Sequence, residues 1–274
     1  MIKRLEEHVN MNRMIYQVAV GKPSKLYDHC IQSVADYCKK HDIRHIVLTQ
    51  PKLRIKPDVF ATNRSKESYE KYGGYLPIYE KENAFDYLDD YDQIAIVDAD
   101  IYIRPDAPNI FEDFGTEDAF GAVCEREMSI QSWYKKKIIN YSRMQYNPLH
   151  RNTLDFKPNN LGFEFFNMGL ILLNSKLFKP FLKGQSPREF LMRSEFKDFV
   201  DGQGAWKWST DQTLLNYFLK RYNIPTKHMD GKWNGLYSAV DNLKDCHFIH
   251  FFLKDKLPNK GENVEELMQT ISRA

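Results

Sequence analysis

Two aspartates separated by one residue are the part of this sequence whose residue types and spacing most directly suggest chemistry. Asp98, Ala99 and Asp100 follow the apolar residues 94–97, and a short run rich in Ile and Val predicts a buried strand. The carboxyl ends of strands are where open α/β sheets bind ligands. Two like charges buried side by side are costly unless a cation neutralises them, and carboxylate oxygens suit Mg²⁺ or Mn²⁺. The triplet alone leaves a second interpretation open, an acidic turn that binds no cation.

Alternating strand and helix patterns precede this triplet and would position it. Strands are predicted at residues 15–21 and 45–49, and helices at residues 25–40, 65–72 and 77–88. This order predicts parallel strand pairing and an α/β fold.

The second half of the chain has a less regular pattern. Strands are predicted at residues 119–123, 163–174 and 246–252, and helices at residues 210–221 and 264–271. The segment between the first two of these strands is polar and aromatic and is predicted to be irregular.

Composition excludes some classes of partner. The chain has 39 basic and 37 acidic residues and a net charge of +2, which gives no basis for bulk nucleic-acid binding. Its four cysteines include no Cys-x-x-Cys pair, so free thiols in a reducing compartment are expected. Neither a signal peptide nor a transmembrane segment is predicted, because residues 1–14 carry charges throughout and no apolar run is long enough to span a bilayer. A cytoplasmic location is therefore expected.

Three later segments combine polar side chains with apolar flanks. They are residues 166–174, with Asn167 and Gly169; residues 209–216, with Asp211 and Gln212; and residues 247–256, with His250 and Lys256. Each has a structural alternative when taken singly, since Asp211 could simply complement a helix dipole and a histidine in an apolar strand is often a core residue. His247 lies three residues before His250 and would face the opposite side of a strand.

Together and in this order, the Asp-x-Asp triplet and these segments resemble the motifs of GT-A glycosyltransferases, specifically the retaining, glycogenin-type enzymes of glycosyltransferase family 8. The family pattern is a strand with Asp-x-Asp, then Phe-Asn-x-Gly, then Asp-Gln-x-x-Leu-Asn, then His-Phe-x-Gly-x-x-Lys-Pro. The resemblance covers about residues 15–258. It implies one GT-A domain over residues 1–274, with a Rossmann-like, mixed but mostly parallel central sheet flanked by helices. Residues 15–105 would form the nucleotide-binding half, residues 106–258 the donor-sugar and acceptor half, and residues 259–274 a C-terminal helix.

The resemblance also implies roles for individual residues. Asp98, Asp100 and His250 would be ligands of Mn²⁺ or Mg²⁺, and Asp211 and Gln212 would be catalytic. The implied donor-binding residues are Val20, Lys81, Asp98, Ala99, Asp100, Asn167, Gly169, Asn234 and Lys256.

The chain departs from the family pattern in the last motif. Leu253 and Leu257 stand where the family has Gly and Pro, and Pro258 follows one position later. The family's Gly lets the backbone approach the diphosphate, which Lys256 would hold as a point charge. Lys81 matches a basic residue of the family when one inserted residue is allowed.

The implied reaction is transfer of a sugar, with retention, from a nucleotide-diphosphate donor to a hydroxyl acceptor on a carbohydrate, glycan or protein. UDP is favoured as the nucleotide by family likeness alone. Asp211 would stabilise positive charge on the sugar or act as a nucleophile. An inverting glycosyltransferase with Asp211 as general base remains an alternative. So does a sugar nucleotidyltransferase, although such enzymes usually have a Gly-rich loop where this chain has only Gly21. A non-catalytic carbohydrate-binding protein is a third alternative, and a homodimer is left open.

The predicted loop at residues 125–160 is expected to shape the acceptor pocket, since long loops in compact domains are often functional. Trp133, Tyr134 and Tyr141 are candidates for stacking on a sugar, with core packing as the alternative for each. Three consecutive lysines at residues 135–137 are interpreted as a solvated helix face.

Overall fold

The apolar runs of the sequence form strands, and the strands assemble into two sheets. The computed structural model describes residues 11–21, 24–58, 63–151, 154 and 157–273. In these residues the strands are β1 (Arg13–Val18), β2 (Arg44–Leu48), β3 (Gln93–Val97), β4 (Ile101–Ile103), β5 (Phe120–Cys124), β6 (Phe166–Asn174), β7 (Thr226–Met229), β8 (Gly235–Leu236) and β9 (Phe248–His250). The α-helices are α1 (Lys25–Lys40), α2 (Asn63–Tyr72), α3 (Ile110–Phe114), α4 (Ser132–Arg151), α5 (Ser175–Leu182), α6 (Pro187–Leu191), α7 (Lys197–Asp201), α8 (Asp211–Arg221) and α9 (Val264–Arg273).

The larger sheet has six strands in the order β2-β1-β3-β6-β5-β7. Its pairings are parallel between β1 and β2, β1 and β3, and β5 and β7. The central strand β6 runs antiparallel to both β3 and β5. The sheet is therefore mixed and mostly parallel, as predicted, and it runs without a break through the two halves of the chain.

The smaller sheet brings the end of the chain back to the Asp-x-Asp triplet. Its order is β4-β9-β8, and β4 pairs antiparallel to β9 with Ile101 opposite His250. Since Asp100 precedes Ile101 directly, this register places His250 beside the triplet across 150 residues of sequence. The parallel pairing of β8 with β9 sets Leu236 opposite His250, which brings the preceding Asn234 to the same place.

Helix α1 shows how the local sequence builds the layer that covers the sheets. The Ser24 side chain accepts a hydrogen bond from the Tyr27 N–H and caps the helix. The buried face contains Leu26, Cys30 and Val34, which recur every four residues as an amphipathic helix requires. The predicted bounds of this helix agree with the structure.

The prediction of an irregular loop at residues 125–160 was wrong. Much of it is α4, a helix of 20 residues. The buried side chains of α4 recur at helical spacing but include Ser142 and Gln145, both fully buried. These polar residues interrupt the apolar stripe by which a helix is recognised, and Pro148, inside the helix, is a further signal against it.

Other local predictions were closer. The segment Pro77–Tyr87 is a succession of 3₁₀ turns, where an ordinary helix was predicted. The single strand β6 accounts for the predicted apolar segment at residues 163–174.

All four cysteines are free and buried, as expected. Among the described residues no helix is both long and apolar enough to cross a bilayer.

Candidate active site

Two carboxylates and one imidazole meet where β3 ends. The Nε2 atom of His250 lies 3.3 Å from Oδ1 of Asp100 and 3.7 Å from Oδ2 of Asp98. Ligand atoms from the three residues all lie within 4.8 Å of one another. The tertiary structure therefore brings together the three residues for which the sequence predicted metal binding.

A hydrogen bond to Asn234 sets the orientation of the His250 ring. Its Nδ1 atom lies 3.0 Å from the Asn234 side-chain oxygen, so Nδ1 donates and Nε2 faces the carboxylates. The Asn234 amide nitrogen in turn donates to the Asn167 side-chain oxygen over 2.7 Å. Partners of this kind fix the tautomer and ring orientation of metal-binding histidines.

Gly169 makes room for this histidine. A Cβ atom at position 169 would lie only 2.4 Å from Cε1 of His250 and 3.0 Å from the Asn167 side-chain oxygen. The Gly169 N–H also donates to that oxygen over 2.9 Å. In this structure the glycine is needed for close approach of the imidazole, in addition to any contact with a donor.

Lys81 links the first aspartate to the start of α8. Its Nζ lies 2.8 Å from Oδ1 of Asp98 and 2.7 Å from Oδ2 of Asp211, and it donates to the Met168 carbonyl over 2.9 Å. The lysine is only 5% exposed, so its charge is held by these contacts and is little screened by solvent. Lys81, Asp98 and Asp211, which the sequence placed in one site, are thus in direct ion-pair contact.

Asp211 and Gln212 open α8 at the edge of the site. The Thr210 side chain accepts a hydrogen bond from the Gln212 N–H and is the N-cap of α8. Asp211 is 2% exposed and is both the first helical residue and the partner of Lys81. Asp211 therefore fits both interpretations: it is a charge at the helix N-terminus and it lies in the candidate site. Gln212 is half-buried, and its side-chain oxygen accepts from the Met168 N–H over 3.4 Å.

Burial and neighbouring charges act against each other in this cluster. Burial alone would raise the pKa of Asp100, but the charge of His250, its hydrogen bond to Asp100 and the charge of Lys254 together outweigh burial, and the pKa is lowered. Burial would likewise lower the pKa of His250, but Asp100 and Asp98 outweigh it and raise it. For Asp211 burial is the larger effect, so its pKa is raised despite Lys81. The protein thus concentrates negative charge around one imidazole, which favours a cation.

Two buried glutamates near the site were missed by sequence reasoning. The Glu125 carboxylate accepts from the Asn167 amide and, over 3.1 Å, from the Tyr134 hydroxyl, and burial raises its pKa. Glu82 is 1% exposed, and neither of its carboxylate oxygens has a hydrogen-bond partner among the residues that the structure describes. Burial and the nearby Asp211 raise the pKa of Glu82. Neither residue belongs to a recognisable motif, so the sequence held no signal for them beyond the neighbouring apolar runs.

After β9, Leu253 occupies the position where the family has glycine. Leu253 has φ 56° and ψ 60°, the left-handed conformation that favours glycine. Lys254, which was not among the predicted site residues, lies with its Nζ 3.9 Å from the Tyr27 ring centroid, and its charge helps to lower the pKa of Asp100. Lys256 is exposed, and its Nζ lies 3.3 Å from the ring centroid of Trp133. A diphosphate contact for Lys256 stays a prediction.

The remaining predicted residues have clear positions. Ala99 is buried between the two aspartates, and Val20 is half-buried just beyond β1. Asn234 is completely buried, with its amide used by His250 and Asn167, so it lies behind the imidazole. Contact of these residues with a donor stays a prediction. His247, which directly precedes β9, packs against the Trp233 ring at a centroid distance of 4.8 Å and is not part of the group formed by Asp98, Asp100 and His250.

The donor set fits a divalent cation. Two carboxylates and a neutral imidazole nitrogen are ligands that Mn²⁺ and related ions accept. Asp98, Asp100 and His250 remain partly open to solvent, with side-chain exposures of 25%, 15% and 8%. That opening leaves coordination positions for a phosphate-bearing ligand, as a catalytic metal site requires.

Comparison with known proteins gives a match in fold. No protein-family model matches the chain, and no curated protein sequence does. Solved structures do match. A glycosyltransferase involved in glycosylation of the major capsid of PBCV-1 has a TM-score of 0.53 at 12% identity, over 93% of this chain and 99% of that one. The galactosyltransferase LgtC, in complex with donor and acceptor sugar analogues, has a TM-score of 0.52 at 15% identity, over 95% of each chain. The glycosyltransferase GlyE of Streptococcus pneumoniae TIGR4 has a TM-score of 0.51 at 14% identity, over 96% of this chain and 60% of that one. The chain therefore has the GT-A fold of these glycosyltransferases, and the fold prediction is confirmed.

Proposed function

We propose that this protein is a metal-dependent glycosyltransferase, which moves a sugar from a nucleotide-diphosphate donor to an acceptor hydroxyl. The observation that carries the proposal is the convergence of Asp98, Asp100 and His250 from distant parts of the chain, at the strand ends of a fold shared with glycosyltransferases. A UDP-sugar is the proposed donor, on the likeness to the glycogenin-type family.

The proposed cofactor is Mn²⁺ or Mg²⁺, held by Asp98, Asp100 and His250. Such an ion supplies charge neutralisation to the diphosphate leaving group. Lys254 adds a positive charge from the turn after β9, on the same side as Asp100. The excess of carboxylates around one imidazole supports binding of a cation at this place.

Asp211 is proposed to act on the donor sugar. It is held by Lys81 at 2.7 Å, so its position is defined and its carboxylate can stabilise positive charge that develops on the sugar carbon. The retaining course of the reaction is proposed on the likeness to the glycogenin-type family. Gln212, beside it at the start of α8, is proposed to hold a sugar hydroxyl.

The acceptor is proposed to enter past α4. Tyr134, one of the three predicted stacking residues, is only 6% exposed and belongs to the core. Trp133 is 36% exposed, which makes it the more suitable stacking surface for a carbohydrate. The Lys256 Nζ lies over one face of its ring. Tyr141 is half-buried, near Gln212, and offers less surface to an acceptor than Trp133 does.

A panel of nucleotide sugars tests the proposal. With Mn²⁺ present, we expect one or more UDP-sugars to be hydrolysed slowly to UDP and sugar, and a metal chelator to abolish this. The anomeric configuration of the released or transferred sugar, read by NMR, is expected to be that of the donor. A sugar nucleotidyltransferase would instead form a nucleotide sugar from a nucleoside triphosphate and a sugar phosphate.

Matched variants connect the activity to the site. Asp100→Asn should remove Mn²⁺-dependent donor binding measured by calorimetry, because it removes one of three proposed ligands. Asp255→Asn is the control, since that side chain is 92% exposed and pairs only loosely with Lys260, at 3.8 Å. Wild-type metal and donor binding in the folded Asp100→Asn protein would show that the site is misplaced. Absence of metal-dependent cleavage for every donor would refute the proposed function.

A further inference from the structure

A second group of metal-ligand side chains lies at the edge of the large sheet, apart from the candidate active site. Cys124 ends β5, Glu127 ends the 3₁₀ turn Glu125–Glu127 that follows, and His228 lies on the neighbouring strand β7. One ligand atom from each of the three lies within 4.8 Å of the others. Nothing in the proposed transfer reaction uses them.

The sheet register explains why these side chains meet. Strands β5 and β7 are parallel, with Ala122 opposite His228. Cys124, two residues beyond Ala122, points to the same face. Cys124 is also opposite Phe166 of β6, and the Phe166 ring contacts the His228 ring edge-on, with centroids 4.9 Å apart and planes at 89°. The imidazole is therefore held over the thiol by packing.

His228 and Glu127 are already joined by a hydrogen bond. The Nδ1 atom of His228 lies 2.9 Å from a carboxylate oxygen of Glu127. Glu127 and His228 have side-chain exposures of 49% and 39%, whereas Cys124 is 2% exposed. All three line a cavity of about 610 Å³ that also contains Asp230 and Asp245. A site with three protein ligands, one side open to a cavity and a mostly buried sulfur has the form of a zinc centre with one solvent ligand.

We propose that Cys124, Glu127 and His228 bind a single Zn²⁺ ion, with a water molecule from the cavity as fourth ligand. The thiol proton of Cys124 leaves to solvent when the sulfur binds the metal. Bond lengths of about 2.3 Å to sulfur and 2.0–2.2 Å to nitrogen and oxygen put ligand atoms roughly 3.3–3.7 Å apart in a tetrahedron. The His228 Nδ1 atom and the Glu127 oxygen are 2.9 Å apart, and ligand atoms of all three residues lie within 4.8 Å of one another. Small rotations of the exposed Glu127 and His228 side chains therefore reach this geometry.

The zinc would brace a turn that supports the candidate active site. Glu125 lies between Cys124 and Glu127, and its carboxylate holds the Asn167 amide. Asn167 in turn is bonded to Asn234, the partner of His250. A metal bound at both ends of the Glu125 turn would stabilise the start of this chain of hydrogen bonds.

Cobalt substitution tests the proposal independently of the proposed activity. With the reduced protein, one equivalent of Co²⁺ should produce a near-ultraviolet thiolate-to-metal charge-transfer band, and Zn²⁺ should remove the band by displacement. The candidate active site contains no sulfur ligand, so it cannot give this signal. Asp100→Asn should therefore keep the band.

The variants are chosen so that folding and binding are separated. Cys124→Ser should abolish the band, while Cys38→Ser should keep it; the two thiols are matched in burial, since each cysteine is 2% exposed. His228→Ala, at a partly exposed position, should weaken Co²⁺ binding roughly tenfold or more and leave the melting temperature of the apoprotein unchanged. No band with excess Co²⁺, a band that survives Cys124→Ser, or unchanged affinity in His228→Ala would each overturn the proposal.

Discussion

Replacing Gly169 by alanine is a direct test of how the proposed metal site is built. The added Cβ would lie 2.4 Å from Cε1 and 2.7 Å from Nδ1 of His250, and 3.0 Å from the Asn167 side-chain oxygen. Carbon atoms pack at about 3.5–4.0 Å, so the imidazole must retreat by about 1 Å. Metal–ligand distances tolerate changes of only about 0.2 Å. His250 is therefore expected to stop serving as a ligand.

The expected loss of metal affinity can be bounded. Disturbing the residues that merely orient a ligand costs about 10–100-fold in metal affinity, and displacing the imidazole should cost at least that. This corresponds to about 1.4–2.8 kcal/mol or more of binding free energy. The Mn²⁺ dissociation constant of Gly169→Ala, measured by calorimetry or from the EPR signal of free Mn²⁺, should rise accordingly. Overpacking should also destabilise the fold by about 1–3 kcal/mol.

Gly121→Ala is the matched control. Gly121 also lies in a strand of the large sheet, and a Cβ there would lie 2.7 Å from the Phe114 ring. We expect a similar loss of stability with no change in Mn²⁺ affinity. If folded Gly169→Ala binds Mn²⁺ as wild type does, or if both variants lose affinity equally, the role assigned to Gly169 is wrong.

Three further predictions concern stability. Lys81→Met should lower the free energy of unfolding by about 3–5 kcal/mol, because it leaves two carboxylates without their buried cation. Lys179→Met, at an exposed ion pair, is the control and should lower the free energy of unfolding by less than about 1 kcal/mol. Equal losses of unfolding free energy in the two variants, measured by urea titration, would contradict the role assigned to Lys81. Glu82→Gln should be more stable than wild type at pH 7–8. Burial raises the pKa of Glu82, so the folded state binds more protons than the unfolded state. Wild-type stability therefore falls as pH rises from about 4.3 towards the pKa of the folded state, with a slope of at most about 1.4 kcal/mol for each tenfold fall in proton concentration. A stability difference that does not shrink from pH 8 to pH 4 would argue that Glu82 is ionised. Leu253→Gly should be about 1 kcal/mol more stable than Leu253→Ala in thermal unfolding, since only Ala keeps the left-handed backbone penalty; the reverse order would mean that the turn does not require this conformation.

Strand positions were the most predictable part of the fold. Residues 94–97 are apolar throughout and residues 166–174 are mostly apolar, because these strands are buried on both faces. Such runs are visible without any knowledge of the partners. Helix α1 was equally clear, since its apolar residues recur every four positions and Ser24 provides a cap. Local sequence decides these elements, so local patterns reveal them.

Helix α4 could not be predicted in the same way. Its inner face uses Ser142 and Gln145, which are fully buried and satisfied by tertiary partners: the Ser142 hydroxyl accepts from the Phe163 N–H, and the Gln145 side-chain oxygen accepts from the Thr213 hydroxyl. A sequence pattern scores such residues as solvent-facing, because their partners lie elsewhere in the chain. The buried face of α4 is therefore stabilised by tertiary hydrogen bonds, although its sequence is too polar to predict a buried helix.

In the candidate site, too, some features follow from the sequence of a single element and others from contacts between elements. The sequence alone determined that Asp98 and Asp100 end a buried strand and that Asp211 begins a helix, because each depends only on the periodicity of one element. The structure alone decided that Lys81 bridges two of these carboxylates, that Asn234 turns the His250 imidazole, and that Leu253 takes a backbone conformation expected of glycine. The bridge and the oriented imidazole depend on contacts between different elements of the fold. Which groups meet across such separations is set by strand order and register, and no local pattern encodes either.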